Sequence, residues 1–178
     1  MNATLIQKIN RVVDELIADI VMEPHRYLQE IDVQIELAHR LKCRIDETRQ
    51  TIEIMHSNYG RKIKVSRLLA ETYVKNNYHP DLILLSEDQS ESDLNTGTFR
   101  ADWVCEVKYK NSFKEIDVDF EKLASILSIT EMNETIGTQM YLAEQSTETP
   151  SELEKVLRAR HPKTEKRIIC FFHSLRIG

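Results

Sequence analysis

Two short segments carry the residue types most capable of chemistry in this chain. Asp81 opens the apolar segment Leu82–Leu85, and Glu106 and Lys108 lie inside the apolar segment 103–109. Because side chains alternate along a strand, Glu106 and Lys108 point to the same face. Charged groups inside an apolar strand are costly unless they are paired or bind a metal. Carboxylates and a lysine in this setting can hold a divalent cation and hydrolyse phosphodiester bonds.

The elements that must position these residues follow from hydrophobic periodicity and turn signals. A strongly amphipathic helix is predicted over residues 5–20 and a second over residues 26–42, with apolar positions Leu28, Ile31, Ile35, Ala38 and Leu41. Strands are predicted over residues 67–74, 79–85, 101–109, 138–143 and 167–172, and further helices over 119–127 and 150–160. Residues 43–64 are either a hairpin or an insertion, and residues 86–100 form a polar loop.

This order of elements predicts an α/β fold with a mixed central β-sheet flanked by helices. The 178 residues suffice for one domain with a substantial core. Residues 1–24 are predicted as an N-terminal helical extension and residues 26–172 as the core. The long apolar stripe of the first helix suggests packing on a second subunit, so a homodimer is expected.

Composition limits the cellular environments and the classes of protein that are compatible with this sequence. No apolar run approaches the roughly 20 residues of a membrane helix, and the N-terminus lacks the pattern of a secretory signal. Three scattered cysteines fit a reducing, cytoplasmic environment better than a disulfide framework. The net charge of −5 argues against a protein that coats nucleic acid by charge alone, although it does not exclude a nuclease.

The motifs resemble those of the PD-(D/E)XK nuclease superfamily, which has a restriction-endonuclease-like core. Pro80-Asp81 matches the first motif and Glu106-Val107-Lys108 the second. Residues 29–37 resemble the Glu-bearing helix of that superfamily. Residues 119–123 resemble the Asp-x-x-Lys-Leu helix that commonly follows the second motif. The four matches appear in the expected order over residues 26–172.

The resemblance implies a metal-dependent endonuclease acting on nucleic acid, with DNA as the first expectation. Asp81 and Glu106 would ligate Mg²⁺ or Mn²⁺, and the Val107 carbonyl could add an oxygen ligand. Lys108 would orient or deprotonate the attacking water, or stabilise the pentacovalent phosphate. Glu30 would lie near the metal from its helix. The alternative is a catalytically silent relative that binds nucleic acid or a protein partner.

Several supporting residues remain open at this stage. Glu36 is the alternative to Glu30 as the helix carboxylate. Gln34 lies one turn beyond Glu30 on the same face and could contact the lysine or a water. Glu71, in the strand predicted before Asp81, is a further candidate. For Asp119 and Lys122 the preferred interpretation is helix capping and surface charge.

Two basic clusters are candidates for contact with phosphates. The first is predicted to contact nucleic acid and comprises Arg61, Lys62, Lys64 and Arg67, with Tyr59 nearby to stack on a base. The second comprises Arg158, Arg160, Lys163, Lys166 and Arg167. Runs of charged residues usually form solvent-exposed surfaces, so phosphate contact by either cluster is a hypothesis.

Overall fold

The computed structural model describes residues 3–56, 60–109, 113–144, 150–160, 162 and 167–175. In chain order its strands are β1 (Thr51–His56), β2 (Arg61–Ser66), β3 (Leu68–Ala70), β4 (Leu82–Leu85), β5 (Ala101–Tyr109), β6 (Ile136–Glu144) and β7 (Ile168–Leu175). Its helices are α1 (Ala3–Met22), α2 (Glu30–Arg44), α3 (Asp46–Arg49), α4 (Glu91–Thr96), α5 (Phe113–Leu127) and α6 (Pro150–Arg160), with a 3₁₀ turn at Thr130–Met132. The α/β class with a mixed sheet flanked by helices is confirmed.

The central sheet has five strands in the order β3-β4-β5-β6-β7. The first three form an antiparallel meander. The crossover through α5 returns the chain parallel to β5, and α6 connects β6 to the parallel strand β7. Strands β1 and β2 form a separate antiparallel hairpin. The hairpin alternative for residues 43–64 is therefore the correct one.

One face of the sheet, called here the α1/α2 face, packs against the first two helices. The apolar stripe of α1 is buried against this face through residues that include Ile9, Val13, Leu16 and Ile20. These α1 residues belong to the same hydrophobic core as Leu37 of α2 and Trp103 of β5. The expectation that this stripe packs on a second subunit is wrong, because the chain's own sheet already covers it. The homodimer stays a prediction without that support.

The opposite face, called here the α5 face, packs against α5 and α6. Phe120, Leu123 and Leu127 of α5 are buried here, as is Leu157 of α6. From the sheet they meet Ile83, Val104, Tyr141 and Ile168. The sheet is thus buried on both sides, and a charged side chain on either face must find a partner within the protein.

Helix α2 begins later and faces differently from the prediction. The Asp32 carboxylate accepts hydrogen bonds from the backbone N–H groups of Leu28 and Gln29, which sets the helix start at Glu30. The buried face carries Val33, Gln34, Leu37, Arg40 and Leu41. Leu28, Ile31 and Ile35, expected in the core, are exposed because α1 and the sheet cover the other side of the helix.

The segment before Asp81 is also less regular than predicted. Only Leu68–Ala70 of residues 67–74 is a strand, because Glu71 adopts a left-handed conformation with φ of 49° and turns the chain away. Two further left-handed residues, Asn76 and Asn77, shape the following loop. Strand β4 then begins at Leu82, directly after Asp81. None of the described helices is both long and apolar enough to span a membrane.

Candidate active site

Three adjacent strands bring polar side chains together on the α5 face. The pairing of Leu82 with Cys105 continues so that Asp81 lies opposite Glu106. On the other side, Glu106 is the register partner of Gln139 in β6. By strand alternation all three side chains share a face with Val104, which belongs to the core beneath α5. The expected proximity of Asp81 and Glu106 therefore follows directly from the strand pairing.

Asp81 is a buried carboxylate with only 6% of its surface exposed. Its Oδ2 accepts a hydrogen bond from the Val107 backbone N–H at 2.6 Å. Burial raises the pKa of Asp81 from 3.8 to about 6, although the Val107 hydrogen bond and the Lys122 charge oppose this rise. Val107, which was expected to offer its carbonyl to a metal, thus contacts Asp81 through its N–H group.

Glu106 is still more buried, with 1% of its surface exposed. Its Oε2 accepts a hydrogen bond from Lys122 Nζ at 2.8 Å. Its Oε1 is buried and has no hydrogen-bond partner among the described residues. Burial, followed by the neighbouring Asp81 charge, holds the pKa of Glu106 well above its ordinary value despite Lys122. One lysine therefore compensates this pair of carboxylates only in part.

Lys108 lies between two carboxylates from different helices. Its Nζ is 3.0 Å from Glu30 Oε1 and 3.5 Å from Asp119 Oδ2. The second contact is an ion pair whose oxygen makes no hydrogen bond of acceptable geometry. Burial alone would lower the pKa of Lys108, but the Glu30 hydrogen bond and the Asp119 charge outweigh it and raise that pKa. Lys108 is therefore held as a cation.

Of the two helix carboxylates considered from sequence, Glu30 is the one that reaches the Glu-x-Lys strand. Its second oxygen also accepts the Tyr109 backbone N–H at 3.4 Å. Glu36 instead accepts a hydrogen bond from Arg40 Nε at 2.7 Å, one turn along the same helix. Gln34 is buried in α2, and the contact from this helix to Lys108 comes from Glu30.

Glu71, the remaining candidate around Asp81, does not bring its carboxylate to the site. The Glu71 side chain is exposed, and its recorded contact with Asp81 joins backbone atoms, Glu71 N–H to Asp81 C=O at 3.3 Å. Glu71 follows β3 and has a left-handed backbone conformation. Its side chain therefore does not continue the alternation of strand residues between the two faces of the sheet. No contact between the Glu71 carboxylate and Asp81, Glu106 or Lys108 is found among the described residues.

Three residues at the site were not assigned to it from sequence: Asp119, Lys122 and Gln139. The interpretation of Asp119 and Lys122 as cap and surface charge is wrong, because their three-residue spacing puts both on the helix face that meets Lys108 and Glu106. Gln139 is fully buried, and its Nε2 donates to the Ile116 carbonyl at 3.1 Å. Its Oε1 has no hydrogen-bond partner in the part of the chain that the structure describes. A glutamine within an apolar strand was the available signal.

The predicted nucleic-acid contacts divide between surface and core. Lys62 and Lys64 lie on the exposed face of the β1–β2 hairpin, and Arg61 is exposed but alternates to the other face. Arg67 departs from the expectation. Its guanidinium is 3% exposed and contacts Asp102 at 2.6 Å and Glu87 at 3.1 Å. Buried in these pairs, Arg67 cannot serve as a surface contact, and Tyr59 lies outside the described residues.

The second basic cluster is likewise engaged with the fold. Arg158 contacts Glu154 at 2.6 Å and donates to the Ile168 carbonyl. Arg167 donates to backbone carbonyls, including those of Leu127 and Met132. Arg160 is half-exposed and forms an ion pair with Asp117. Lys163 and Lys166 lie outside the described residues.

The charges of the site fit a divalent cation. Asp81, Glu106, Glu30 and Asp119 supply four carboxylates, against the two ammonium groups of Lys108 and Lys122. When all are ionised, two negative charges stay uncompensated. Among the described residues there is no group of three or more His, Cys, Asp or Glu side chains arranged to hold a metal ion. Mg²⁺ nevertheless often uses only one or two carboxylates, with waters and substrate phosphates completing its shell.

Comparison of the chain with protein-family models, with curated proteins and with solved structures finds no match in any of the three. Functional inference therefore starts from the arrangement of Asp81, Glu106, Lys108 and their partners.

Proposed function

We propose that this protein is a metal-dependent endonuclease of the PD-(D/E)XK type that hydrolyses phosphodiester bonds in nucleic acid, with DNA as the expected substrate. The observation that carries the proposal is the shared location of Asp81, Glu106 and Lys108 at neighbouring strand positions on one face of the sheet. The two carboxylates are buried with raised pKa values, and the lysine is held as a cation beside them. Strongly perturbed groups that converge in this way are typical of functional sites.

The order of elements supports a restriction-endonuclease-like core. Helix α2 is followed, after the β1–β2 hairpin, by the antiparallel meander β3-β4-β5, the crossover helix α5 and the parallel strand β6. This is the succession of helix, three-stranded meander, helix and strand that the superfamily resemblance implies. Asp81 directly precedes the second meander strand and Glu106 lies in the third, which supports the resemblance.

Asp81 and Glu106 are the residues that would hold Mg²⁺ or Mn²⁺. Two features suit such an ion. Glu106 Oε1 has no hydrogen-bond partner among the described residues, and two negative charges stay uncompensated when all four carboxylates are ionised. When bound, the ion would lower the pKa of a coordinated water and neutralise charge that develops on the phosphate. The Val107 N–H donates to one Asp81 oxygen and so holds this carboxylate against the backbone of β5.

Lys108 is suited to stabilise negative charge on the reacting phosphate. Its raised pKa keeps the ammonium group protonated at neutral pH, which argues for a cationic role over that of a general base. Glu30 and Asp119 hold the ammonium from two sides. A donor fixed before the reaction can act on developing charge without reorganisation.

The test is cleavage of plasmid and linear DNA by the variants Asp81→Asn, Glu106→Gln and Lys108→Ala. We expect each to lose activity by about 10²-fold or more, since each removes a group acting on the reacting phosphate or its metal. Asp88→Asn, at an exposed carboxylate, and Lys42→Ala, at an exposed lysine of α2, are matched controls that keep activity. Cleavage at the wild-type rate by all three site variants would refute the proposal.

A second candidate is a catalytically silent module with the same fold. The observation that favours it is the Lys122–Glu106 ion pair, because the lysine ammonium already contacts a carboxylate proposed to bind the metal. Calorimetric titration with Mn²⁺ at pH 7.5 separates the two candidates. Binding that disappears in Asp81→Asn supports the nuclease, and absence of binding by the wild type supports the silent module.

A further inference from the structure

A concave surface lies further along α5 from the candidate active site. It is a cleft of about 640 Å³ between the C-terminal half of α5, the loop that precedes Asp81, and the end of α6. Ser125 on its wall is one helical turn beyond Lys122, and Tyr78 is three residues before Asp81. With about 5.4 Å per helical turn, the cleft and the site are neighbours along α5.

The charges around this cleft favour an anion. Lys75 and Arg160 line it, and no carboxylate is found among its described lining residues, although the chain carries a net charge of −5. Arg160 forms an ion pair with Asp117, which is not among the lining residues. Arg167 donates to the Leu127 carbonyl at the end of α5, so a third cation offsets the negative pole of that helix.

The cleft also offers hydrogen-bond donors of the kind that contact phosphates. Tyr78, Ser125 and Thr130, whose side chains carry hydroxyl groups, line the cleft. Side-chain hydroxyls, lysines and arginines make most of the contacts that fix a nucleic-acid backbone in register without reading its sequence. The left-handed residue Asn76 holds the loop in the turn that presents Lys75 and Tyr78 to the cleft.

We propose that this cleft binds the phosphodiester backbone of the strand that flanks the bond to be cleaved. The inference rests on the proposed nuclease function and adds to it a backbone subsite formed by Lys75, Tyr78, Ser125, Thr130 and Arg160. Its ligand class is a sequence-independent run of nucleic-acid phosphates. The subsite sets where the strand lies relative to Asp81 and Glu106, whereas those residues carry the chemistry.

The test is fluorescence anisotropy with a labelled single-stranded DNA oligonucleotide in EDTA, where binding is measured without cleavage. Lys75→Glu and Thr130→Glu each put a negative charge on the cleft. We expect Lys75→Glu to weaken binding by roughly three- to ten-fold and to reduce the slope of log K against log salt by about one. The matched control is Lys42→Glu at the far end of α2, which changes neither quantity.

The outcomes separate this inference from the proposed function. Wild-type affinity and salt slope in both cleft variants would overturn the subsite even if the protein cleaves DNA. Weakened binding in both variants with an intact Lys42→Glu control supports the subsite, including in a protein that proves inactive. Absence of oligonucleotide binding by the wild type overturns the subsite outright. Competition by free deoxynucleotide as effective as by oligonucleotide would assign the cleft to a mononucleotide instead.

Discussion

Lys122 Nζ lies 2.8 Å from Oε2 of Glu106, so an ammonium group from α5 contacts a carboxylate that is buried in the middle of β5. The other carboxylate oxygen, Oε1, has no hydrogen-bond partner within the described ranges of the chain. The lysine is one-quarter exposed, whereas the carboxylate is almost fully enclosed. The ion pair therefore partly compensates a buried carboxylate and lies next to the proposed metal position.

Replacing Lys122 with Met should destabilise the metal-free protein by about 3–5 kcal/mol, because removal of one partner leaves a buried charge uncompensated. Glu106→Gln combined with Lys122→Met should recover most of that loss, since no charge is then stranded. Urea unfolding at pH 7.5 in EDTA measures both. Lys62→Met, which breaks the exposed pair with Glu53, is the matched control and should change stability by under about 1 kcal/mol. Equal effects of the two single substitutions would contradict the role given to Lys122.

The raised pKa of Asp81 predicts a specific pH dependence of stability. Folding favours the protonated form of this group, so its stabilising contribution is complete below pH 3.8 and is lost as the pH rises through about 6. The shift from 3.8 to about 6 corresponds to about 3 kcal/mol. Asp81→Asn keeps the acceptor for the Val107 N–H but cannot ionise.

In EDTA, the stability of Asp81→Asn relative to wild type should therefore increase between pH 4 and pH 7.5. Thermal unfolding of the two proteins at a series of pH values measures this difference directly and cancels the titration of the other groups. Asp88→Asn, compared with wild type in the same way, should give a flat difference. A flat difference for Asp81→Asn as well would show that this carboxylate ionises normally in the folded protein.

Glu30 and Glu36 provide a matched pair on one helix. Glu30→Gln should lower kcat about 10- to 100-fold, as is typical when a partner that orients a reacting group is weakened. Glu36→Gln should leave kcat unchanged and lower stability slightly, because it only weakens the contact with Arg40. Kinetics on linear DNA and thermal unfolding of both variants test the assignment. The reverse order of activities would assign the helix carboxylate to Glu36.

The N-terminal helix should behave as part of the core. Leu16 is fully buried on the side of α1 that faces the sheet, so Leu16→Ala should lower the free energy of unfolding by about 2–5 kcal/mol. Asp14→Ala on the exposed face is the control, with a change near zero. Light scattering should give Leu16→Ala the same mass as wild type. A stable Leu16→Ala protein with an altered mass would return α1 to the role of a subunit interface.

Strand β5 was predictable from sequence to the residue, and the reason is local. A strand buried on both faces shows a continuous apolar run, and Glu106 and Lys108 interrupt it on alternate positions. The side-chain period alone puts them on one face, and antiparallel pairing with the strand that starts after Asp81 completes the trio. These relationships need no knowledge of the rest of the fold.

The partners of this trio depend on packing between distant segments and were harder to assign. In the sequence, Lys122 and Asp119 resemble ordinary surface residues of a helix. Only the packing of α5 on the sheet brings them to Glu106 and Lys108. Arg67 belongs to a basic run in the sequence, but it is buried and forms an ion pair with Asp102, which is distant in the chain. The exposed face of α2 was likewise misassigned, because only the position of α1 decides which side of that amphipathic helix is covered.

The most direct test of the proposed activity is incubation of wild-type protein and Lys108→Ala with supercoiled plasmid DNA in Mg²⁺, Mn²⁺ or EDTA. A metal-dependent nuclease built on Asp81, Glu106 and Lys108 should nick or linearise the plasmid only with metal, and Lys108→Ala should leave it intact. Absence of cleavage by the wild type with either metal, on DNA and then on RNA, would contradict the assignment. So would cleavage by Lys108→Ala at the wild-type rate.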